Sequence, residues 1–516
     1  MRLPSLVDDG AFAPCPSPFN MAAHTFAAAA ARPDHVALEV LAAPGEIAAR
    51  WTHAELADTV RRTAGGLRAL GIGRGDRVLL RIGNTADFPI VFFAANALGA
   101  VPVPVSAMLT AAELGPLIAD LAPALIARGP GLALPDPPGA PVIEAEAIAA
   151  LRRADPAGFV ETLPDEPAYM VYTSGTAGRP KGVVLAQRAA WARRMMWPGW
   201  YGLGPEDRVL HAGAFNWTYT LGAGLTDPWA IGATALIYAG PPDRAVWPRL
   251  AGAHGATIFA GAPGVYRQML DAPGLAAGFA GLRHGLTAGE ALPASVRAAW
   301  TGATGKPIHE ALGMSEISTY ISSSPARPAP AGFTGYPQPG RRVAILPETG
   351  AGTDPVARGT EGLLAVSRRD PGLMLGYWRR PEATEAAFRA EWFMTGDRAL
   401  MAEDGAIRHL GRADDLINAG GFRVSPHEVE AVLVAHPGIS EAAVVAQPVG
   451  EGVSIVAAFY VPKADPVAEA ELARHCADRL ARYKCPRSFH ALDALPRSAN
   501  GKLLRRRLIA DASADA

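Results

Sequence analysis

"YTSGTAGRPKGVVL", Tyr172–Leu185, sets three hydroxyl residues (Thr173, Ser174, Thr176), three glycines, a proline and Lys181 in a short loop that runs into an apolar stretch. It does not fit the GxxxxGK[ST] phosphate loop, because Lys181 is followed by Gly182 and the glycine spacing differs. It is still suited to an anion: glycines let successive backbone N–H groups converge, the hydroxyls add donors, and the lysine adds a mobile positive charge. The same composition suits a plain surface turn, so the surrounding chain decides its meaning.

That chain alternates strands with helices. "AYMVYTSG" from Ala168, "DRVLLRIG" from Asp76, "DRVLHAG" from Asp207, "GATALIYAG" from Gly232 and "GATIFAGAP" from Gly255 read as buried strands. Helical patterns such as "HAELADTVRRTAGGLRAL" from His53 and "GVYRQML" from Gly264 lie between them, which predicts an α/β fold: a large N-terminal domain of mixed, largely parallel sheets with packed helices. The uncharged stretch Phe88–Ala112 contains Pro102 and Pro104, and is expected to be a buried helix followed by a strand, with no membrane span. Near Gly411 the texture changes. A helix opens with Ser425 as N-cap, Pro426 at its first position and Glu428 completing a capping box, and two strands and a second helix follow. The expectation is a small α+β C-terminal domain, with domains at residues 1–411 and 412–516.

Composition excludes several classes of function. A chain of 516 residues with a formal net charge of -1 and pI ≈ 6.9 offers no electrostatic attraction to nucleic acid or an anionic membrane. Cys15, Cys476 and Cys485 form no CxxC pair and lie far from any histidine at ligand spacing, so neither zinc nor a disulfide framework is indicated. The N-terminus carries Asp8, Asp9 and prolines where the apolar run of a signal peptide would stand. A cytoplasmic enzyme acting on small molecules is expected, with a homodimer left open.

Five further motifs follow the opening loop in order: Gly289-Glu290 in "TAGEALP", "LGMSE" at Leu312–Glu316, "TGD" at Thr395–Asp397, "GRADD" at Gly411–Asp415, and "GK" at Gly501-Lys502. Together with the loop Tyr172–Gly182 they resemble the adenylate-forming enzymes, the superfamily of acyl-CoA synthetases, peptide-synthetase adenylation domains and luciferases. Among its branches the chain looks most like benzoate-type and medium-chain acyl-CoA ligases. The resemblance covers nearly the whole chain and implies ATP, Mg²⁺ and coenzyme A as partners of a small carboxylic acid, with a mobile C-terminal domain.

By that resemblance, Thr173, Ser174, Gly175, Thr176, Ala177, Gly178, Arg179, Pro180 and Lys181 wrap the ATP phosphates. Gly289, Glu290, Glu310, Ala311, Leu312, Gly313, Met314 and Ser315 surround the nucleotide, with Asp397 and Arg412 at the ribose. Ser315 and Glu316 serve catalysis, and Glu316 carries the metal. Lys502 bridges the attacking carboxylate and the α-phosphate. Gly420, Gly421 and Phe422 in "NAGGFRVSP" line the pantetheine path, and Asp414 is the hinge.

The chemistry supports this inventory. A carboxylate is a poor electrophile at neutral pH, so joining it to a thiol calls for a leaving group, which an acyl-AMP anhydride supplies. Magnesium prefers hard oxygen ligands and binds through one or two carboxylates, as Glu316 offers. Asp397 suits two ribose hydroxyls as a bidentate acceptor, although an ion pair with Arg412 is equally natural. Trp217, Tyr219 and Gly222, within "AFNWTYTLGAGL", are candidate walls of the acid site, joined by Arg423. Ala214–Leu225 contains no basic residue to pair a second carboxylate, so a monocarboxylic acid with an aryl or short-to-medium acyl group is expected.

Leu312 stands where the family usually carries an aromatic residue, and Ser315 replaces its threonine. Two alternatives stay open: an adenylating enzyme that loads a separate carrier protein, and a non-catalytic nucleotide-binding protein on the same fold. Lys502→Ala is expected to raise the barrier to acyl-adenylate formation by several kcal/mol. Thioesterification of supplied acyl-AMP should persist, and quenched-flow assay of each half-reaction checks this; parallel loss of both is the contrary result.

Overall fold

The computed structural model describes residues 3–10, 12–173, 180–241, 243–413, 417–419, 422–450, 453–480, 482, 484–497, 503–505 and 507–509. Ser174 to Arg179, Asp414, Gly420, Gly421 and Lys502, all named above, lie outside them. The chain divides into two compact units, one of residues 7–343 and 366–393, the other of residues 1–6, 344–365 and 394–516.

In the larger unit, a nine-stranded sheet runs in the order Tyr336–Pro337, Ser318–Ser322, Ile308–Met314, His284–Ala288, Ile258–Ala260, Arg208–His211, Thr234–Tyr238, Val36–Ala43, Glu46–Thr52. Its six central strands, from Ile308–Met314 to Val36–Ala43, are parallel, and antiparallel strands close both edges. Buried parallel strands have no solvent face, which explains why "ALIYAG" and "IFAGAP" are largely apolar and why "VLHAG" buries even its histidine. One face packs Leu210, Leu236 and Phe259 against Leu250, Tyr266 and Trp300 from helices Val246–Ala253, Pro263–Met269 and Ala294–Thr304. The other face carries Val209, Ile258, Leu286, Ala288 and Ala311 beneath Trp200 and Tyr219.

A four-stranded parallel sheet follows the order Val101–Pro104, Arg77–Arg81, Leu125–Arg128, Val142–Glu144. A three-stranded antiparallel sheet joins Gly376–Tyr377, Lys181–Ala186 and Pro167–Thr173. Helix Asp87–Ala97 buries Phe88 through Ala97, the expected outcome for that apolar stretch. Its one amide is satisfied: Asn96 donates to the Ala168 carbonyl at 2.8 Å and accepts from the Ala22 N–H at 2.9 Å. Among the described residues no helix is long and apolar enough to cross a membrane.

In the smaller unit, Ile439–Gly450 and Val453–Pro462 form a hairpin with Ser488–Ala491 parallel to its second strand. Helices Pro426–Val434 and Glu469–Ala477 cover it through Val429, Leu433, Leu472 and Cys476. The protein is thus α/β, with a large N-terminal domain and a small α+β C-terminal one. The capping box expected at Ser425 does not form. Its hydroxyl donates to the Leu410 carbonyl at 3.4 Å, and Glu428 pairs with Lys484 at 2.6 Å, so partners distant in sequence outcompete the local box. Thr52 with Glu55, and Thr110 with Glu113, do close capping boxes.

Four buried histidines in the larger unit are held neutral, chiefly by burial: His53 and His284 titrate down at about 4, His211 and His309 at about 3. Their folded values lie below the ordinary 6.5, so the stability they contribute is complete above pH 6.5 and is lost as pH falls toward 4. Each contributes about 1.4 kcal/mol per pH unit within that window. Thermal unfolding followed from pH 7.5 to 5 is expected to show a steep fall in Tm, and His53→Leu should flatten it.

Candidate active site

The strands flanking the glycine loop are antiparallel, with Thr173 opposite Lys181 and Tyr172 opposite Gly182. The loop is therefore a hairpin connection without a following helix, and the helix-terminus field used by strand-to-helix phosphate loops is missing from its anchor points. Positive charge at its exit comes from Lys181, whose Nζ lies 4.8 Å from the centre of the Tyr377 ring. Pro180, beside it, is exposed.

Glu316 is buried, at 7% exposure. Its Oε1 accepts from the Tyr377 hydroxyl at 2.9 Å, and its backbone carbonyl accepts from the Met374 N–H at 2.7 Å. Sequence reasoning paired Lys181 with Glu316 through ATP alone and missed Tyr377, which touches both. Among the described residues no three or more His, Cys, Asp or Glu side chains converge as a metal site. A single buried carboxylate with one oxygen already oriented fits Mg²⁺, which keeps waters and substrate phosphates as its other ligands.

Gly289-Glu290 follow the strand His284–Ala288, and Leu312–Ser315 lie at the carboxyl end of its parallel neighbour Ile308–Met314, with Ala288 paired to Ala311. Open α/β sheets bind ligands at that edge. Gly289 is required there: its φ is +101°, and a Cβ would come within 2.6 Å of the Trp217 ring. Leu312, Gly313, Met314 and Ser315 are half-buried, and Ala311 is buried in the sheet. Glu310 faces the opposite side of its strand, accepting from the Leu292 N–H at 3.1 Å and from Arg297 at 2.8 Å.

The acid-site candidates form an aromatic wall. Trp217 lies edge-on to Tyr219 with ring centres 5.6 Å apart, and Tyr219 stacks on Trp200 at 5.4 Å while its hydroxyl donates to the Leu286 carbonyl at 3.0 Å. The space beside Gly222 is filled from elsewhere: a Cβ there would stand 1.9 Å from Arg193 Nη2. Arg193 thus brings a basic group to a stretch that has none of its own. Its charge is already met, by Asp227 at 2.6 Å, with the Tyr201 hydroxyl at 2.9 Å and Ser318 Oγ at 2.7 Å as further partners.

In the smaller unit, Asp397 sits opposite Arg412 in the hairpin of Trp392–Met401 and Ile407–Arg412. Arg412 Nη1 donates to the Thr395 carbonyl at 2.6 Å and stands 3.5 Å from Asp397 Oδ1. His409 Nε2 lies 3.3 Å from the same oxygen, a neighbour with no sequence signal. Burial alone would raise the pKa of Asp397, but His409, Arg412 and Thr395 outweigh it and hold the carboxyl below its usual range. Asp397 is accordingly an anionic acceptor at neutral pH. Phe422 and Arg423 lie on strand Phe422–Val424, paired with Ile417–Ala419.

Comparison with known proteins follows the same lines. The AMP-binding enzyme family matches residues 25–378, and its C-terminal domain matches residues 428–502. The chain is 33% identical to the 3-hydroxybenzoate–CoA ligase of Aromatoleum sp. (strain CIB), across 89% of this chain and 91% of that protein. A benzoate CoA ligase from Burkholderia xenovorans LB400 superposes with a TM-score of 0.84 at 30% identity, covering 95% of this chain and 99% of that one. The anthranilate CoA ligase AuaEII, solved with anthranoyl-AMP, superposes with a TM-score of 0.85 at 25% identity over 97% and 98% of the two chains.

Removing Asp227 leaves a buried guanidinium uncompensated. Asp227→Asn is expected to cost about 3–5 kcal/mol in urea unfolding, and the double variant Arg193→Met/Asp227→Leu to recover much of it.

Proposed function

The chain belongs to the family of AMP-binding enzymes, and on that basis we propose that it is an acid–CoA ligase whose acid is a benzoate-sized aromatic monocarboxylate. The acid attacks ATP to give an acyl-AMP and pyrophosphate; the thiol of coenzyme A then displaces AMP to give the thioester. The observation that carries the choice of acid is the wall of Trp217, Tyr219 and Trp200 at the carboxyl edge of the parallel sheet. Flat aromatic faces suit an aryl ring, and the compensated Arg193 leaves no cation for a second carboxylate. The likeness to hydroxybenzoate, benzoate and anthranilate ligases supports the same reading.

Residue roles follow. Lys181 and the glycine loop take the phosphates. Glu316 would hold Mg²⁺, which screens the charge of the triphosphate. Asp397, anionic and already in contact with Arg412, takes the ribose hydroxyls. Ser315, beside Glu316, adds a hydroxyl donor. Lys502 serves the first half-reaction; the backbone of Gly420 to Phe422 lines the way for the pantetheine arm in the second. The functional division falls at 411/412, with Asp414 as the hinge about which residues 412–516 turn between the two steps. A reducing cytoplasm suits the free thiols Cys15, Cys476 and Cys485.

Acid-dependent pyrophosphate release, measured with and without CoA across benzoate, hydroxybenzoates, anthranilate and straight-chain acids of two to twelve carbons, tests the reading. Turnover with CoA and a kcat/KM at least tenfold higher for the aryl acids is expected. A preference for a straight-chain acid overturns the aryl assignment. Adenylation without thioester formation points instead to a carrier-loading enzyme, and absence of both half-reactions to a binding protein.

A further inference from the structure

Tyr377 touches both charged groups that the proposed reading assigns to the phosphates and to Mg²⁺, Lys181 and Glu316. Its hydroxyl donates to Glu316 Oε1 at 2.9 Å, and its ring face carries the Lys181 ammonium at 4.8 Å. No carboxylate lies within 4.0 Å of Lys181 among the described residues, so the cation and the anion meet the same tyrosine and not each other. In its absence a mobile ammonium and a nearby carboxylate would be free to collapse into an ion pair. Each nucleotide that binds would then have to break that pair.

The segment around Tyr377 is fixed on both sides. Gly376 and Tyr377 pair with Val184 and Val183 on the strand leaving the glycine loop. The Leu375 N–H donates to the Val184 carbonyl at 2.8 Å, and the Trp378 N–H to the Gly182 carbonyl at 2.7 Å. On the other side, the Met374 N–H holds the Glu316 carbonyl at 2.7 Å. The Tyr377 N–H itself donates to Thr384 Oγ1 at 2.9 Å, and the Trp378 indole donates to the Asp120 carbonyl at 3.1 Å. A five-residue run, Met374–Trp378, thereby laces the loop exit to the Glu316 turn and brings the Tyr377 phenol to both charges.

We infer that Tyr377 is a positioning residue: a spacer that orients the Glu316 carboxylate for a cation through its hydroxyl and keeps the Lys181 ammonium available for phosphate through its ring. The inference rests on the reading of Glu316 and Lys181 given above. The two halves of the side chain are separable. A phenyl ring keeps the cation–π contact and loses the hydrogen bond; an aliphatic side chain loses both.

The test is equilibrium binding of ATP by calorimetry, with Mg²⁺ and with excess EDTA, to the full-length wild type, Tyr377→Phe, Tyr377→Leu and Glu316→Gln. Thermal melting of each ligand-free protein is recorded alongside. Tyr377→Phe is expected to weaken MgATP at least fivefold while metal-free ATP stays within twofold, with Tm unchanged. Tyr377→Leu should weaken both nucleotide forms at least fivefold. A metal-specific loss in Glu316→Gln without one in Tyr377→Phe overturns the inference and leaves the reading of Glu316 intact. Absence of a metal-specific loss in Glu316→Gln overturns that reading and the inference with it. An equal loss of both nucleotide forms in Tyr377→Phe, accompanied by a lowered Tm, shows a structural role only and also overturns the inference.

Discussion

The strand Lys181–Ala186 is the constraint on which the candidate site depends. On one side it pairs with Pro167–Thr173 and so returns the glycine loop to its starting point; on the other it pairs with Gly376–Tyr377, a segment that also grips the turn of Glu316. Backbone ladders hold register strongly, because a slip by one residue would turn every buried side chain outward. Lys181 is the first residue of that strand, so its position is inherited from the apolar run "VVL" buried behind it. The long lysine side chain is thereby anchored on a rigid base.

The parallel sheet imposes the second constraint. Its strands are buried on both faces, and at the carboxyl ends of two of them Gly289 and Leu312–Ser315 stand side by side. One face of the sheet near that edge is shielded by Trp200, Trp217 and Tyr219. Behind these rings the buried Arg193 is paired with the buried Asp227. On the proposed reading the acid site would have aromatic walls backed by satisfied charge, an arrangement in which a second free carboxylate on the substrate would find no partner.

Much of the fold could be read from the amino-acid sequence because its strands and helices are strongly patterned. The runs from Asp76, Ala168, Asp207, Gly232 and Gly255 are strands, the patterns from His53 and Gly264 are helices, and Phe88–Ala97 is buried as its composition demands. What escaped reading was set by partners far apart along the chain. Glu428 goes to Lys484, Gly222 makes room for Arg193, and Tyr377 reaches back to Glu316 and Lys181. Local spacing carries no trace of such meetings, because they arise only once sheets and helices have packed. His409 beside Asp397 is of the same kind, a hairpin neighbour brought close by strand register alone.

The contact beside Gly222 has a bearing on how this scaffold could change its diet. Any larger residue there would have to displace a guanidinium that three partners hold in place. The position of Gly222 is therefore closed to gradual remodelling. The indole at position 217 is only partly buried and rests on a backbone turn, so successive substitutions can resize it without unseating a charge. If Trp217 lines the acid site as proposed, natural drift or directed selection toward bulkier acids has a route through that ring.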